Sequence, residues 1–343
     1  MKALVLEDYR RFAVKEVSMP VLEADEVLVR VRACGICGSD VHGMDGSSGR
    51  RIPPLIMGHE AAGEIAEIGT GVSGWTAGDR VTFDSTVYCG QCWHCRRGEI
   101  NLCDERRVLG VSCAQYMRQG AFAEFVAVPE RILHRLPEAL GFEQAAMVEA
   151  VSVALHAVER TPRTPDAAVA VVGVGMIGLL VVQVLKVAGC GQIIAIDLDD
   201  DRLEVARRFG ATAAIKADST DVAESVRRLT HGRGADAVFE VVGAAATVRA
   251  AIQAARKGGS VTLVGNLAAE VPIPLQAVVT RQITLIGTCA SAGEYPAALD
   301  LIARGKINVT DFISAVAPLE DGARWFERLY GAEKGLMKVL LKP

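Results

Sequence analysis

A glycine-rich turn between two apolar segments is the feature that most constrains the fold of this chain. The motif GVGMIG, residues 173–178, follows the apolar run VAVVG and opens a second apolar run of helical length. Asp197 ends the next apolar run, IIAID, nineteen residues after Gly178. A strand, a glycine turn, a helix, a second strand and an acidic residue, in this order, are typical of a dinucleotide-binding βαβ unit.

The residues of this turn have separate roles in such a unit. Gly173 turns the chain, Gly175 lets the backbone approach a pyrophosphate, and Gly178 allows the helix to pack closely on the strand. The N-terminus of the helix faces the phosphates. Met176 and Ile177 lie between these glycines, and we expect them to contact the cofactor as well.

The acidic residues after the second strand favour NAD over NADP. We expect Asp197 to accept hydrogen bonds from the ribose hydroxyls of the adenosine. Leu198 and the three aspartates at 199–201 offer no cation for a 2′-phosphate. Two like charges about 4 Å apart repel by about 4 kcal/mol at an effective dielectric of about 20. The aspartates also suit a helix N-terminus, where negative side chains are stabilised.

Length and hydropathy pattern indicate two domains of α/β and β-rich type. The chain has 343 residues, half of them apolar. From about Ala167, strands alternate with helices, which predicts a parallel sheet covered by helices on both faces. The first 150 residues carry short alternating stretches broken by Gly, Pro and Asp-Arg turns, as in a β-rich domain. The last fifty residues, from about Gly287, lose the α/β rhythm, and we expect them to return to the first domain.

Charge and hydropathy argue against several classes of partner. Lys and Arg number 37 and Asp and Glu 41, for a net charge of −4 with no basic block, so nucleic acid and anionic membranes are not expected partners. Charged residues interrupt the N-terminus where a signal peptide needs an apolar stretch, so we expect a cytoplasmic location. The apolar segment from Ala167 to Val182 is shorter than the ~20 residues that a membrane span needs.

Four of the nine cysteines form one local group, at spacings of two, two and seven residues: Cys89, Cys92, Cys95 and Cys103. Four thiolates can surround one zinc ion tetrahedrally and leave no open position, so we expect a structural zinc site. An iron–sulfur cluster and free thiols are the alternatives. His94 lies in the same loop, and we expect it at the surface rather than on the metal. Isolated cysteines, expected to be small buried apolar residues, are Cys113, Cys190 and Cys289.

A second set of metal-binding residue types is scattered along the first half of the chain: Cys37, His59, Glu60 and Glu149. A thiolate, an imidazole and carboxylates from different elements are how catalytic zinc is held, with a position left for water or substrate. The surrounding runs are GICGSDVH at 35–42 and GHEAAGEIAEIGTGV at 58–72. With the cysteine loop and the glycine turn, they closely resemble the zinc-containing alcohol dehydrogenases of the medium-chain dehydrogenase/reductase family.

This resemblance covers the whole chain and implies a fold. The family combines a GroES-like β-rich catalytic domain with a Rossmann domain, which is a doubly wound parallel sheet. By similarity, residues 1–152 and 289–343 form the catalytic zinc domain and residues 153–288 the NAD-binding domain. The resemblance also implies a homodimer or homotetramer.

Within the family, the chain is most similar to the sorbitol (polyol) dehydrogenase branch. The run VEAVSVALHAV puts Glu149 where other alcohol dehydrogenases carry a second cysteine ligand. In that branch, residues matching Cys37, His59 and Glu60 hold the catalytic zinc. The residue matching Glu149 either ligates the metal directly or holds the zinc-bound water. The resemblance thus implies two zinc ions per chain, one catalytic and one structural.

The implied function is zinc-dependent transfer of a hydride from a secondary alcohol of a polyol or sugar alcohol to NAD⁺. Ser39 and His42 resemble the family's proton relay, and Arg202 is expected to flank the adenine. The alternatives are an L-threonine 3-dehydrogenase, which usually has Asp in place of Glu149, and a 2,3-butanediol dehydrogenase-like enzyme. The intact ligand set argues against a non-catalytic member, and the cysteine loop and Asp197 argue against a zinc-free NADPH reductase.

One departure from the polyol branch and three arginines bear on the substrate. Ala290 and Ser291 stand where polyol dehydrogenases usually carry an Arg-Tyr pair, so sorbitol itself is not predicted. Arg50, Arg51 and Arg118 lie in runs expected near the pocket entrance. Guanidinium groups suit a phosphate or carboxylate, so the substrate is expected to be a polyol or its phosphate. A solvated surface is the alternative for these three arginines.

Overall fold

The chain folds into two compact units, which are described separately. The computed structural model describes residues 1–113, 116–218 and 221–343, with only the backbone of residues 113, 116 and 117. The first unit comprises Met1–Glu149 and Ala292–Pro343, and the second Ala150–Ser291. The predicted combination of a β-rich domain and an α/β domain with a parallel sheet is confirmed.

The helices and strands have the following bounds. Up to the start of the second unit, the chain forms β1 Lys2–Asp8, β2 Arg11–Glu16, β3 Glu26–Gly35, α1 Gly38–Gly43, β4 Leu55–Ile56, β5 Glu60–Ile68, β6 Arg80–Phe83, β7 Thr86–Val87, β8 Arg107–Val108, β9 Val111–Cys113, β10 Tyr116–Arg118, β11 Phe125–Pro129, β12 Leu133–Arg135, α2 Phe142–Ala146 and α3 Val148–Glu159. The second unit adds β13 Ala168–Val172, α4 Met176–Val187, β14 Gln192–Asp197, α5 Asp200–Phe209, β15 Ala213–Lys216, α6 Val222–Leu229, β16 Ala235–Glu240, α7 Ala245–Ala254, β17 Ala255–Leu263, α8 Leu275–Thr280 and β18 Thr284–Gly287. The last segment forms α9 Tyr295–Ala303, β19 Ile313–Pro318, α10 Gly322–Tyr330 and β20 Lys338–Lys342.

The main sheet of the first unit joins the two ends of the chain. Its strand order is β12-β6-β5-β3-β20-β19, and β11 also pairs with β3. β3 runs antiparallel to β5, with Gly35 opposite Glu60, and antiparallel to β20, with Gly35 opposite Leu340. A Cβ on Gly35 would lie 2.3 Å from Glu60 Oε2, so only glycine leaves room for that carboxylate. This register brings Cys37, Glu60 and Lys338 to one end of three neighbouring strands.

The second unit is a parallel sheet of the predicted type. Its strand order is β15-β14-β13-β16-β17-β18, and all of these pairs are parallel. Every residue of β13 is buried, as expected when helices cover both faces of a sheet. The order reverses between β13 and β16, and nucleotides bind at the carboxyl ends of strands at such a switch point.

Two expectations for the remaining segments have different outcomes. None of the described helices is both long and apolar enough to cross a membrane, and the long apolar run is divided between β13 and α4. The prediction that the isolated cysteines are buried is wrong for Cys289, which is exposed in the irregular segment after β18. Cys190 is half-buried, and the side chain of Cys113 lies outside the described residues.

The glycine turn between β13 and α4 is tightly packed. Gly173 has a φ of +88°, a backbone conformation that favours glycine. A Cβ on Gly178 would lie 2.0 Å from the Gly173 carbonyl oxygen. A Cβ on Gly175 would meet no protein atom within 4 Å, and its φ of −67° suits any residue. The two glycines therefore differ in what they contribute to the fold.

We predict that Gly178→Ala lowers the free energy of unfolding by about 1–3 kcal/mol, because the added methyl group must displace backbone. Gly175→Ala is the matched control and should change it by less than about 0.5 kcal/mol. Urea unfolding of both variants measures the difference. Equal stabilities would contradict the packing assigned to this turn.

Candidate active site

The four clustered cysteines form one closed group of sulfur atoms. The Sγ atoms of Cys89, Cys92, Cys95 and Cys103 all lie within 4.8 Å of one another. Gly90 and Gly98, both with a φ of +79°, turn the chain between them. Backbone N–H groups donate to the sulfurs, among them Cys89 N to Cys103 Sγ at 3.2 Å and Cys92 N to Cys89 Sγ at 3.4 Å. Convergent sulfurs held by backbone donors suit four thiolates around a zinc ion.

The surroundings of this group favour the thiolate form of one cysteine, Cys92, whereas burial raises the pKa of Cys95 and Cys103. Backbone donors from Cys95 and Asp104 lower the pKa of Cys92 to about 6. His94 is not in the sulfur group, and its Nδ1 lies 2.9 Å from Glu99 Oε2.

A second group brings together a thiol, an imidazole and a carboxylate. Cys37, His59 and Glu60 each place one ligand atom within 4.8 Å of the others. Cys37 caps α1, while His59 immediately precedes β5. Gly58, with a φ of +96°, turns the chain into His59, and a Cβ there would lie 2.9 Å from Phe122 N. Three of the residues predicted to bind the catalytic zinc are therefore adjacent in space.

The two carboxylate oxygens of Glu60 have different surroundings, because one is paired with a cation and the other has no hydrogen-bond partner among the described residues. Its Oε2 forms an ion pair with Lys338 Nζ, and both side chains are only 1% exposed. Lys338 Nζ also donates to the Ile36 carbonyl at 3.1 Å. Burial lowers the pKa of Lys338, but the charges of Glu60, Cys37 and Glu149, with the hydrogen bond to Glu60, together raise it above its ordinary value. Glu60 Oε1 is buried and has no hydrogen-bond partner among the described residues. A buried carboxylate oxygen without a partner, beside a thiol and an imidazole, fits a metal ligand.

The Nδ1 nitrogen of His59 faces the buried carboxylate of Asp40, a residue that no sequence motif assigned to the site. Asp40 Oδ2 lies 3.4 Å from His59 Nδ1, and Asp40 is fully buried. Burial would raise the pKa of Asp40, but the charges of His59 and Arg51 hold it well below its ordinary value. Burial likewise opposes protonation of His59, while Asp40 and Cys37 raise its pKa. With Nδ1 towards Asp40, the imidazole keeps Nε2 as the atom that can bind a metal.

Glu149 lies in the first turn of α3 and is not part of the three-residue group. Burial raises its pKa to about 7, against the opposing effect of His59, and Glu60 raises it further. The Glu149 carboxylate therefore interacts electrostatically with two members of the group, His59 and Glu60.

The remaining predicted residues of the first unit have varied surroundings. Ser39 and His42 are both exposed, and Ser39 Oγ accepts a hydrogen bond from an Arg51 terminal nitrogen at 3.3 Å. The prediction that three arginines are available to a phosphate or carboxylate of the substrate is wrong for two of them, because each is already paired with a carboxylate of the protein. Arg51 is buried against Asp40, and Arg118 pairs with Glu26 and donates to a backbone carbonyl. Arg50 is exposed.

The candidate coenzyme site occupies the second unit. Asp197 ends β14 and accepts backbone hydrogen bonds from Val174 at 2.7 Å and from Leu198 at 2.8 Å. Its carboxylate is thereby fixed beside the glycine turn. Met176 and Ile177 form the first turn of α4, and Arg202 is exposed in the first turn of α5.

Asp199 and Asp200 have structural partners next to Asp197. Asp199 is the N-cap of α5 and accepts from the backbone N–H groups of Asp201 and Arg202. Asp200 pairs with Lys216, which ends the neighbouring strand β15 opposite Asp197. No local motif links this lysine to Asp197, since it lies in a different strand.

Family models match both parts of the chain. Residues 23–138 match the alcohol dehydrogenase GroES-like domain, and residues 176–304 match the zinc-binding dehydrogenase domain. Sorbitol dehydrogenase of Bacillus subtilis is 33% identical over 100% of this chain and 97% of its own length. The chain belongs to the zinc-containing alcohol dehydrogenase family. The predicted family and fold class are confirmed, and the protein is an oxidoreductase.

Other relatives of this dehydrogenase differ in the molecules they are named for. The D-arabitol-phosphate dehydrogenase of Enterococcus avium is 32% identical over 97% of this chain and 94% of its own length. A solved structure described as a zinc-binding dehydrogenase from Sinorhizobium meliloti 1021, bound to NADP, superposes with a TM-score of 0.91 and 32% identity. It covers 100% of this chain and 99% of that one.

We predict that Lys338→Met destabilises this dehydrogenase by about 3–5 kcal/mol, because it leaves the Glu60 carboxylate buried without its cation. Lys342→Met is the matched control on the same strand. Lys342 pairs with Glu143 at the surface, and its loss should change stability by about 0–1 kcal/mol. Urea unfolding at one fixed zinc concentration compares the two variants. Similar, small losses in both would show that the buried pair does not matter to folding.

Proposed function

We propose that this dehydrogenase oxidises a secondary alcohol of a polyol, transferring a hydride to NAD⁺ at a zinc site formed by Cys37, His59 and Glu60. The observation that carries the proposal is the group of three ligand atoms within 4.8 Å of one another, one of them on a carboxylate that also pairs with Lys338. Glu149 is the fourth residue of the proposed site, as a direct ligand or through a water molecule.

The donor sets at both sites suit zinc. Four thiolates leave no open position, so the site of Cys89, Cys92, Cys95 and Cys103 would be structural. One thiolate, one imidazole and harder oxygen donors leave a position for substrate. We therefore propose two zinc ions per chain with different roles.

The residues around the proposed catalytic site have distinct tasks in this reaction. A zinc ion held by Cys37, His59 and Glu60 would lower the pKa of the substrate hydroxyl group, and NAD⁺ would supply the acceptor for the hydride. Lys338 holds one oxygen of Glu60, which leaves the other free to bind. Ser39 Oγ accepts from Arg51, so its own O–H is available to pass on the proton of the alcohol. His42 is proposed as the exposed end of this relay.

The proposed substrate is a neutral polyol. Relatives named sorbitol dehydrogenase and D-arabitol-phosphate dehydrogenase support a polyol class. Arg51 and Arg118 are both paired with carboxylates, and this favours a substrate without a phosphate. 2,3-Butanediol, L-threonine and polyol phosphates are the alternatives to test beside it.

The proposed cofactor is NAD. Asp197 at the end of β14 is held for the ribose hydroxyls, and its charge opposes a 2′-phosphate. Lys216 is a cation beside it, but Asp200 pairs with this lysine. A related solved structure is bound to NADP, so the preference for NAD over NADP is tested directly below.

Three further features belong to the proposal. We propose the domain bounds implied by the resemblance, with 1–152 and 289–343 as the catalytic domain and 153–288 as the NAD-binding domain. We also propose a homodimer or homotetramer and a cytoplasmic location. Met176, Ile177 and Arg202 are proposed contacts of the cofactor.

We predict that, among polyols, polyol phosphates, 2,3-butanediol and L-threonine, an unphosphorylated polyol gives the fastest reduction of NAD⁺.

Brief treatment with a chelator should abolish this activity while circular dichroism shows an intact fold, because the site with oxygen ligands binds zinc less tightly than four thiolates. Loss of activity and fold together at every chelator concentration would contradict the two-site assignment.

Glu149→Gln, which keeps the shape of the side chain, should lower kcat by at least about 100-fold.

We predict that Asp197→Ala weakens NAD⁺ binding through loss of the ribose contacts and improves use of NADP⁺ through relief of repulsion. The ratio of kcat/KM for NAD⁺ to that for NADP⁺ should fall by at least about tenfold, equivalent to about 1.4 kcal/mol. The control is Asp201→Ala, which removes an exposed acidic side chain from the following helix α5 and should leave the ratio nearly unchanged. A wild-type enzyme that uses both cofactors equally would overturn the choice of NAD.

A further inference from the structure

Arg51 is a buried arginine whose surroundings connect it to the proposed metal site. Only 4% of its surface is exposed. Its Nε and one terminal nitrogen donate to the same oxygen, Asp40 Oδ1, at 3.1 and 2.8 Å. The other oxygen of that carboxylate, Oδ2, is 3.4 Å from His59 Nδ1. One carboxylate therefore bridges the guanidinium and the imidazole.

The bridging carboxylate controls which nitrogen of His59 can bind a metal. A metal-binding histidine usually donates its other ring N–H to a carboxylate or carbonyl, which fixes the ring orientation and the tautomer. Asp40 Oδ2 and His59 Nδ1 face each other at 3.4 Å, and neither of these buried atoms has a hydrogen-bond partner among the described residues. The position of Asp40 thus determines whether His59 presents Nε2 to the site.

We infer that Arg51 is a positioning residue of the catalytic metal site, acting through Asp40 on His59. This inference rests on the proposed function of Cys37, His59 and Glu60 as metal ligands. Two donors on Oδ1 fix the rotation of the Asp40 carboxylate, so Oδ2 faces the imidazole. A carboxylate without these donors can turn away from His59, and the imidazole then loses the partner that keeps Nε2 directed at the metal site.

The chain around Arg51 is shaped for this contact. A Cβ on Gly43, the last residue of α1, would lie 2.6 Å from Arg51 Cγ, so glycine leaves the space that the side chain occupies. A terminal nitrogen of Arg51 also reaches Ser39 Oγ at 3.3 Å. The guanidinium therefore contacts two residues of the motif GSDVHG that follows Cys37. The adjacent Arg50 is exposed and serves as a control.

The expected consequence is a weaker catalytic metal site in a folded protein. Loss of an outer partner of a metal-binding histidine typically lowers metal affinity 10- to 100-fold. Arg51→Met keeps the apolar stem and removes both donors, Arg51→Lys keeps the charge but not the two-donor contact, and Gly43→Ala displaces the stem while keeping the guanidinium. All three should release the catalytic zinc faster than wild type, whereas Arg50→Met should not.

The test is zinc transfer to a chromogenic chelator, followed in intact enzyme together with its melting temperature. The fast phase reports the catalytic site, and its rate should rise at least about tenfold in Arg51→Met. In a double-mutant cycle, Asp40→Asn should raise it similarly, and Arg51→Met should add little in the Asp40→Asn background, because both changes break one chain of contacts. If Arg51→Met does not fold, Arg51→Lys and Gly43→Ala provide the same comparison.

Three results would overturn the inference or its basis, and they are distinguishable. A wild-type enzyme with no fast phase would refute the proposed metal site itself. A normal fast phase in the Arg51 variants, with only a lower melting temperature, would show that Arg51 has a structural role alone. Additive effects of Arg51→Met and Asp40→Asn would show that Arg51 does not act through Asp40.

Discussion

Buried charge is the constraint on which the catalytic unit depends. Asp40, Glu60 and Asp84 are each at most 4% exposed, and Glu149 lies close enough to interact with Glu60 and Asp84. Removing an ion from water costs several kcal/mol unless a partner compensates. Arg51 and Lys338 provide one positive charge each, to Asp40 and Glu60. A divalent metal beside Cys37, His59 and Glu60 would add positive charge to this group of buried carboxylates.

The sheet register makes this arrangement of charges possible. β3 lies between β5 and β20, so a carboxylate at the start of β5 meets a lysine at the start of β20. Gly35 on β3 leaves the volume that the Glu60 carboxylate fills. The same strand leads into Cys37 and α1, where Asp40 completes the contacts of His59. A fold without the C-terminal strand in this position would leave Glu60 without its cation.

The sequence predicted the parts of the molecule that local patterns encode. The glycine turn, Asp197 and the four-cysteine loop depend on spacing within short segments, and each is found where the pattern indicates. Lys338 could not be predicted in this way, because it is 278 residues from Glu60 and meets it only through the sheet. Arg51 was predicted at a pocket entrance because the resembling family has its entrance at this loop, yet Asp40, eleven residues earlier, pairs with it in the interior. Asp40 lies within the motif GICGSDVH, but no spacing rule links it to His59.

The zinc content of the purified protein tests the assignment of the catalytic site most directly. Metal analysis should find two zinc ions per chain in the wild type and one in Cys37→Ser, with the fold of the variant retained by circular dichroism. The ion that remains belongs to the four cysteines, because their loop does not involve Cys37. One zinc ion per chain in the wild type, or two in Cys37→Ser, would contradict the assignment of Cys37, His59 and Glu60 as the catalytic metal site.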